Sequence, residues 1–323
     1  MIVTLTPNPS HDRTVSLAGP FERGAVHRAT SVTSQAGGKG VNISRAAVVA
    51  GVETLAVLPA PADDPFVLEL RAAGIACRPV PGCRGDLRVN ITVTEPDGTT
   101  TKLNSPGPTV TPQVLDDLTA ALVAAVTGES TTPDWVVLAG SLPPGAPQEW
   151  YADLVQTLAG TGARVAVDTS EAPLRAVVDR LPDAAPALMK PNGDELASLT
   201  GDDAATIESD PRVAARAASV LLERGVGAVL ATLGARGAVL ATADGAWHAE
   251  PPPTEVVSTV GAGDSSLFGY LMADLRGDAP AERLAQAVAY GSAAAGLPGT
   301  TIPTPQVVRP DLVRVRQLDP AAR

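Results

Sequence analysis

Apolar residues in this chain follow three patterns, and their order predicts the architecture. Short unbroken apolar runs over residues 2–6, 53–58, 75–80, 135–139, 164–167, 187–189 and 228–232 read as strands buried on both faces. Helical spacing appears over 65–73, 112–126, 148–158, 172–181, 212–224 and 282–297, and two more helices open from glycine-rich loops near residues 40 and 264. Strands alternating with helices predict a parallel sheet with helices on both faces. The third pattern is apolar–polar alternation over 13–17, 26–33, 87–94 and 99–103, the last two flanking the turn Glu95-Pro96-Asp97-Gly98. These half-exposed strands are expected to leave the main sheet. The predicted fold is therefore one three-layer α/β domain over residues 1–323, with a small β-sheet lid drawn from about 13–36 and 87–104.

Composition narrows the partners. The chain has 323 residues, enough for one large domain, and only 3% aromatics, so its core rests on Val, Leu and Ala. A net charge of −11 argues against a nucleic-acid or anionic membrane surface, and an anionic substrate would need a local positive pocket. The apolar run at residues 2–5 is too short for a signal-peptide core and no stretch approaches a membrane span, so a cytoplasmic protein is expected. Cys77 and Cys83 lack the His/Cys neighbours of a zinc site and read as free thiols. Lysine is nearly absent. Lys39, Lys102 and Lys190 stand alone among arginines, marking positions where a compact point charge is preferred to a planar fork.

Candidate chemistry clusters at strand ends. Val260-Gly261-Ala262-Gly263-Asp264 joins a β-branched run to a helix, and its glycines and helix N-terminus suit an anion. Asp264 is either a plain N-cap or a base that takes a proton from an attacking hydroxyl beside that anion. Gln35-Ala36-Gly37-Gly38-Lys39-Gly40-Val41-Asn42 opens a second such helix without the Walker spacing. Asp12, just past the first strand, can cap a turn or accept from sugar hydroxyls. On the hairpin, alternation puts Arg88 and Asn90 on the face opposite Val89, Ile91 and Val93. Asn192 and Glu195 fit both water-mediated Mg²⁺ binding and a capping box; spacing alone does not separate the two. The loop Leu233-Gly234-Ala235-Arg236-Gly237 offers backbone donors to a nucleotide phosphate. A Rossmann dehydrogenase is excluded, since no G-x-G-x-x-G follows the first strand.

Asn8-Pro9-Ser10-His11-Asp12, Gly37-Gly38-Lys39-Gly40-Val41-Asn42, Lys190-Pro191-Asn192-Gly193-Asp194-Glu195 and Val260-Gly261-Ala262-Gly263-Asp264-Ser265 occur in the order seen in the phosphofructokinase B (ribokinase-like) sugar kinases, which this chain resembles from its first strand to Pro303. Arg88-Val89-Asn90, Asn104-Ser105-Pro106-Gly107-Pro108 and Gly140-Ser141-Leu142-Pro143-Pro144-Gly145 resemble the branch acting on sugars that already carry a phosphate. The resemblance implies a ribokinase-like fold, a homodimer paired through the lid, and transfer from ATP with Mg²⁺ to a ketohexose phosphate. Fructose 1-phosphate comes first, ahead of tagatose 6-phosphate or fructose 6-phosphate. It makes Asp264 the base and the amides of Gly261, Ala262 and Gly263 the anion hole. Asp12, Gly38, Lys39, Asn42 and Asn90 would hold the sugar, with Lys39, Arg88 and Arg28 facing its phosphate. Asn192 and Glu195 would organise Mg²⁺, and Lys190, Thr232, Gly234 and Gly237 the nucleotide. His11 departs from the family's apolar residue; it either points away or alters substrate choice. A non-catalytic sugar-phosphate or nucleotide sensor is the alternative class, and the intact Asp264 loop counts against it.

Overall fold

The computed structural model describes residues 1–82, 85–128 and 132–318; Cys83 lies outside them. In chain order the strands are β1 (Ile2–Leu5), β2 (Ser10–Leu17), β3 (Ala29–Gly37), β4 (Thr54–Pro59), β5 (Ala76–Val80), β6 (Arg88–Thr94), β7 (Thr100–Asn104), β8 (Trp135–Ala139), β9 (Arg164–Asp168), β10 (Leu188–Met189), β11 (Ala228–Thr232), β12 (Ala238–Thr242), β13 (Gly245–Glu250) and β14 (Arg314–Leu318). Ten of them make one sheet in the order β14-β13-β12-β11-β10-β9-β8-β1-β4-β5, and the other four a small sheet, β3-β2-β6-β7. Pairing is parallel from β5 to β11 and antiparallel from β11 to β14.

Both faces of the large sheet are covered. Val136 and Leu138 of β8 pack into the core under helices Pro112–Thr127, Trp150–Leu158 and Pro211–Glu223. Trp135, Val137 and Ala139 of the same strand point the other way, to helices Lys39–Val49, Ala262–Leu275 and Pro280–Ala295. Burial on both sides explains why these strands read as unbroken apolar runs. Thr111 caps the Pro112–Thr127 helix, its side chain accepting from the Val114 amide, with proline at the first position. Among the described residues no helix is long and apolar enough to cross a membrane.

Two boundaries differ from the expectation, each for a readable reason. β2 begins at Ser10 rather than residue 13, so His11 and Asp12 belong to the small sheet and not to a loop after β1. The polar Ser-His-Asp start hides it, because that end of the strand turns its polar face to the site. The sequence reading placed no strand after the last long helix, yet β14 lies there as an edge strand, paired among the described residues to β13 alone. Arg314, Arg316 and Gln317 break its apolar signal, and an edge strand tolerates such residues.

Register fixes the two faces of the small sheet. His11, Arg13 and Val15 pair with Ala36, Ser34 and Val32 on one side and with Val89, Ile91 and Val93 on the other. Ser10 and Asp12 pair with Gly37 and Gln35, and with Arg88 and Asn90. One face is thus mostly apolar, and the other carries Asp12, Arg88 and Asn90 as the alternation predicted.

Candidate active site

The carboxyl ends of β1, β8, β9, β10 and β11 lie along one edge of the large sheet, the edge where open α/β sheets place ligands. Helix Ala262–Leu275 starts there. Gly261 precedes it at φ 77°, ψ −4°, a left-handed conformation that glycine adopts without strain, and no side chain caps this end. Ala262 N donates to Thr259 O at 3.4 Å, and the Gly263 and Asp264 N–H groups of the first turn remain available to an anion.

Asp264 sits in that first turn and is only 7% exposed. Asn42 Nδ2, from the first turn of the Lys39–Val49 helix, donates to its Oδ2 at 2.8 Å. Burial pushes the Asp264 pKa up to about 6; Lys39 opposes the rise, Asp168 adds to it, and the Asn42 bond and Lys190 oppose it further. A carboxylate ionised at neutrality yet ready to take a proton is what a general base needs.

Asp168, at the end of β9, follows the run 164–167 and was not singled out from the sequence. It is fully buried, and both scarce lysines of this region converge on it. Lys39 Nζ donates to Oδ1 at 2.7 Å, and Lys190 Nζ stands 3.3 Å from Oδ2. That second contact is an ion pair whose geometry falls outside hydrogen bonding. Burial works against the Asp168 charge, but Lys190 and Lys39 outweigh it and hold its pKa below the usual carboxylate value. Burial likewise works against the Lys39 ammonium, and Asp168 and Asp264 more than compensate, leaving its pKa raised. The sequence signal for Asp168 was indirect: two of three lysines at strand-end loops. Lys102 is exposed on β7 and takes no part.

On the small sheet, Ser10 Oγ donates to Asp12 Oδ1 at 2.7 Å and Asn90 Nδ2 to the same oxygen at 3.1 Å. Ser10 was missed in the sequence, although it lies two residues from Asp12 and so on the same face. Burial raises the Asp12 pKa, with Ser10, Asn90, Arg88 and His11 opposing. A Cβ at Gly37 would collide with the Asp12 carboxylate, so glycine is required there by close approach. Arg88 donates through Nε to Asn8 O at 3.1 Å and through Nη1 to Ser105 O at 3.3 Å.

Several expected roles are redistributed. Lys39 and Arg88 do not share one partner: Lys39 turns to Asp168, Arg88 to the Asn8 and Ser105 carbonyls. Asn42 binds Asp264 rather than standing free for sugar. Arg28 is exposed and precedes β3 at the end of the ladder where Leu17 pairs with Ala29. It lies about 17 Å along the strand from Asp12, five residues at the strand rise, and within one chain does not join Arg88. His11 points to the opposite face from Asp12, its ring edge-on to Phe66 with centroids 5.3 Å apart.

Asn192 and Glu195 form a complete capping box: Glu195 N donates to Asn192 Oδ1 at 2.8 Å and Asn192 N to Glu195 Oε2 at 2.9 Å. The structural role is real whether or not metal binds. Nearby, Thr232 N donates to Pro191 O at 3.0 Å, and Leu233 N to Gly237 O at 2.8 Å closes the Gly234–Arg236 turn. A groove of about 720 Å³, lined in part by Ser170, Glu171, Arg175, Asp194 and Glu195, borders this end. Asp12, Lys39 and Asp264 are not among the residues lining it, so this groove lies beside that cluster rather than containing it.

Residues 8–307 match the model of the pfkB family carbohydrate kinases. The chain belongs to the pfkB family. Among curated relatives, the 1-phosphofructokinase of Rhodobacter capsulatus is 36% identical over 94% of this chain and 93% of its own length. The 1-phosphofructokinase of Escherichia coli (strain K12) is 33% identical over 89% of both chains. Among solved structures, phosphofructokinase-2 from Escherichia coli with substrates and products aligns at TM-score 0.85 and 26% identity, covering 95% of this chain and 97% of that one. The same enzyme with fructose-6-phosphate aligns at 0.83 and 25%, covering 96% and 98%. As a pfkB-family carbohydrate kinase the protein is a phosphotransferase acting on small-molecule substrates, with ATP as one of them.

Proposed function

We propose that this kinase transfers the γ-phosphoryl group of ATP to fructose 1-phosphate, forming fructose 1,6-bisphosphate. The observation that carries the chemistry is the Asp264 carboxylate, buried in the first turn of a glycine-started helix with Lys39 and Lys190 acting on it. The substrate choice rests on relatives named 1-phosphofructokinase, matched over at least 84% of this chain at 36%, 37% and 31% identity in Rhodobacter, Xanthomonas and Bacillus. A second reading, fructose 6-phosphate, is favoured by the phosphofructokinase-2 complex with that sugar.

Asp12 and Asn90, braced by Ser10, accept and donate to the sugar hydroxyls, with Gly38 keeping the backbone close. Arg88 meets the phosphate the sugar already carries. Asp264 accepts the proton of the attacking hydroxyl as its oxygen bonds to the γ-phosphorus and the bond to ADP breaks. The amides of Gly261, Ala262 and Gly263 and the Lys39 ammonium stabilise charge on the moving group, which needs alignment and electrostatics more than covalent help. The turn at Thr232, Gly234 and Gly237, with Lys190, faces the nucleotide.

Among the described residues no cluster of three or more His, Cys, Asp or Glu could cage a metal. Magnesium fits this site in the way it usually binds beside nucleotides, through one or two carboxylates, waters and the phosphates. Glu195 supplies the carboxylate: one oxygen serves the cap, and Asn192 is a hard oxygen donor beside it. Bound there, the ion would neutralise charge on the nucleotide phosphates.

The apolar face of the small sheet leaves Val32 57% and Leu103 55% exposed, which supports pairing of two copies through this sheet. The test of the catalytic reading is Asp264→Asn. ATP binding should persist while kcat for ADP release falls at least about 100-fold, the usual scale of a general base; wild-type turnover would end the assignment.

A further inference from the structure

Two lysines on one buried carboxylate is an unbalanced arrangement. Asp168 is 0% exposed and Lys190 5%, whereas Lys39 is 35% exposed and reaches toward the open side. They arrive from three separate elements: Asp168 from the end of β9, Lys190 from the end of β10, and Lys39 from the first turn of the Lys39–Val49 helix. Lys190 Nζ lies 3.3 Å from where a Gly263 Cβ would stand, against the first turn of the Asp264 helix. The Gly140 carbonyl, accepting from Thr169 Oγ1 at 2.9 Å and Tyr151 at 3.0 Å, packs the loop beside them. Burying three charges in this way is costly, and a purely structural bridge is replaced by apolar packing with little or no loss. The second lysine on a single carboxylate is therefore the feature that needs a use.

We propose that Asp168 is a positioning residue: its two oxygens hold Lys39 and Lys190 apart and aim both ammoniums at the space between the Gly261–Gly263 amides and Asp264. The proposal rests on Asp264 being the base. With Asp264 ionised, Lys39, Lys190, Asp168 and Asp264 sum to zero charge. When Asp264 takes the hydroxyl proton the same four groups carry one net positive charge, just as the new oxygen–phosphorus bond forms and the bond to ADP breaks. Proton uptake and phosphoryl stabilisation are thereby coupled in one cluster, with Asp168 keeping the geometry fixed throughout.

The groups facing Asp264 are Lys39, Asp168, Asn42 and Lys190, and Glu195 acts on Lys39 from the Gly193–Thr200 helix. Among the described residues Asp168 is the acid that acts on Asp264, and it opposes ionisation of Asp264. Removing its charge must therefore make Asp264 more acidic. Asp168→Asn is measured for kcat against pH with Mg-ATP and the best ketose phosphate, beside wild type and Asp264→Asn. The expected result is a kcat lower by at least about 10-fold, because the lysines lose their anchor, with the acidic limb moved to lower pH. Unchanged kcat, or a loss with the acidic limb unmoved or moved up, overturns the proposal. Asp168→Glu covers the case in which the Asn variant does not fold: it keeps the charge but displaces it by one methylene. Its kcat should fall with the acidic limb left in place, and wild-type kcat in it overturns the proposal equally. Asp264→Asn separates the two claims, since wild-type turnover there defeats the base assignment whatever Asp168 does.

Discussion

A side chain that is to receive a proton near neutral pH must be poorly solvated when charged, and Asp264 meets that condition at a cost to the fold. Its carboxyl sits at about 6 in the folded chain against an ordinary value of 3.8. A raised carboxyl pKa means the folded state holds the proton more tightly than the unfolded one. The corresponding stability is fully present below about pH 4 and is lost as pH rises through about 6. Asp264→Asn, neutral at every pH, should accordingly melt higher than wild type at pH 8, with the gap closing between about pH 6 and 4 in thermal scans. A gap that widens on acidification would contradict the cause given for the shift. Residues such as Asp264 and Lys39 were legible because glycine-rich loops at helix starts are local signals. Asp168 was not, because it meets Lys190 and Lys39 only where two strand ends and a helix start come together in space. Arg28, which only the family resemblance put beside the sugar phosphate, stands a strand's length from Asp12 within one chain, a separation that spacing in sequence does not show.

Helices and strands bring these residues together, and one short helix does two jobs. Asn192 and Glu195 close a capping box at the start of Gly193–Thr200, and the same pair is proposed to serve Mg²⁺. Glu195→Gln separates the roles, because glutamine also completes a capping box. Melting temperature should stay near wild type, within about 0.5 kcal/mol in stability, while the Mg²⁺ concentration for half-maximal rate rises. An unaltered Mg²⁺ dependence would leave Glu195 as a cap alone. The long helix Ala262–Leu275 is fixed at its far end, where Asp274 accepts from Trp135 Nε1 at 2.8 Å and pairs with Arg164 at 2.6 Å and Arg283 at 2.7 Å. That clamp was invisible in the sequence, since its partners come from β8, β9 and a third helix. The parallel strands were easy to read, being mostly apolar, whereas β14 and the start of β2 carry polar residues: one is an edge, the other lies on the polar face that carries Asp12.

At the scale of the whole molecule, an α/β layer carries Asp264, the two lysines and the Thr232–Gly237 turn, and a separate four-stranded sheet carries Asp12, Arg88 and Asn90. The second sheet has one polar face, proposed to take the sugar, and one apolar face open to solvent at Val32 and Leu103. Leu103→Asp should convert a dimer to monomers in sedimentation without unfolding the chain, because Leu103 is already 55% exposed. A monomeric wild type would remove the sheet-pairing account. Alternation made both faces legible in advance; which sugar the polar face takes was not, because residue types do not give the distance from Arg88 to the reacting hydroxyl. The direct test is kcat/KM with Mg-ATP for fructose 1-phosphate, fructose 6-phosphate, tagatose 6-phosphate and plain fructose. Fructose 1-phosphate should lead, and should exceed fructose by at least about 10-fold, the worth of one charged hydrogen bond of roughly 1.5–3 kcal/mol. Equal or better turnover of unphosphorylated fructose would contradict the assignment of Arg88 to a phosphate and with it the reading of this enzyme as a sugar-phosphate kinase.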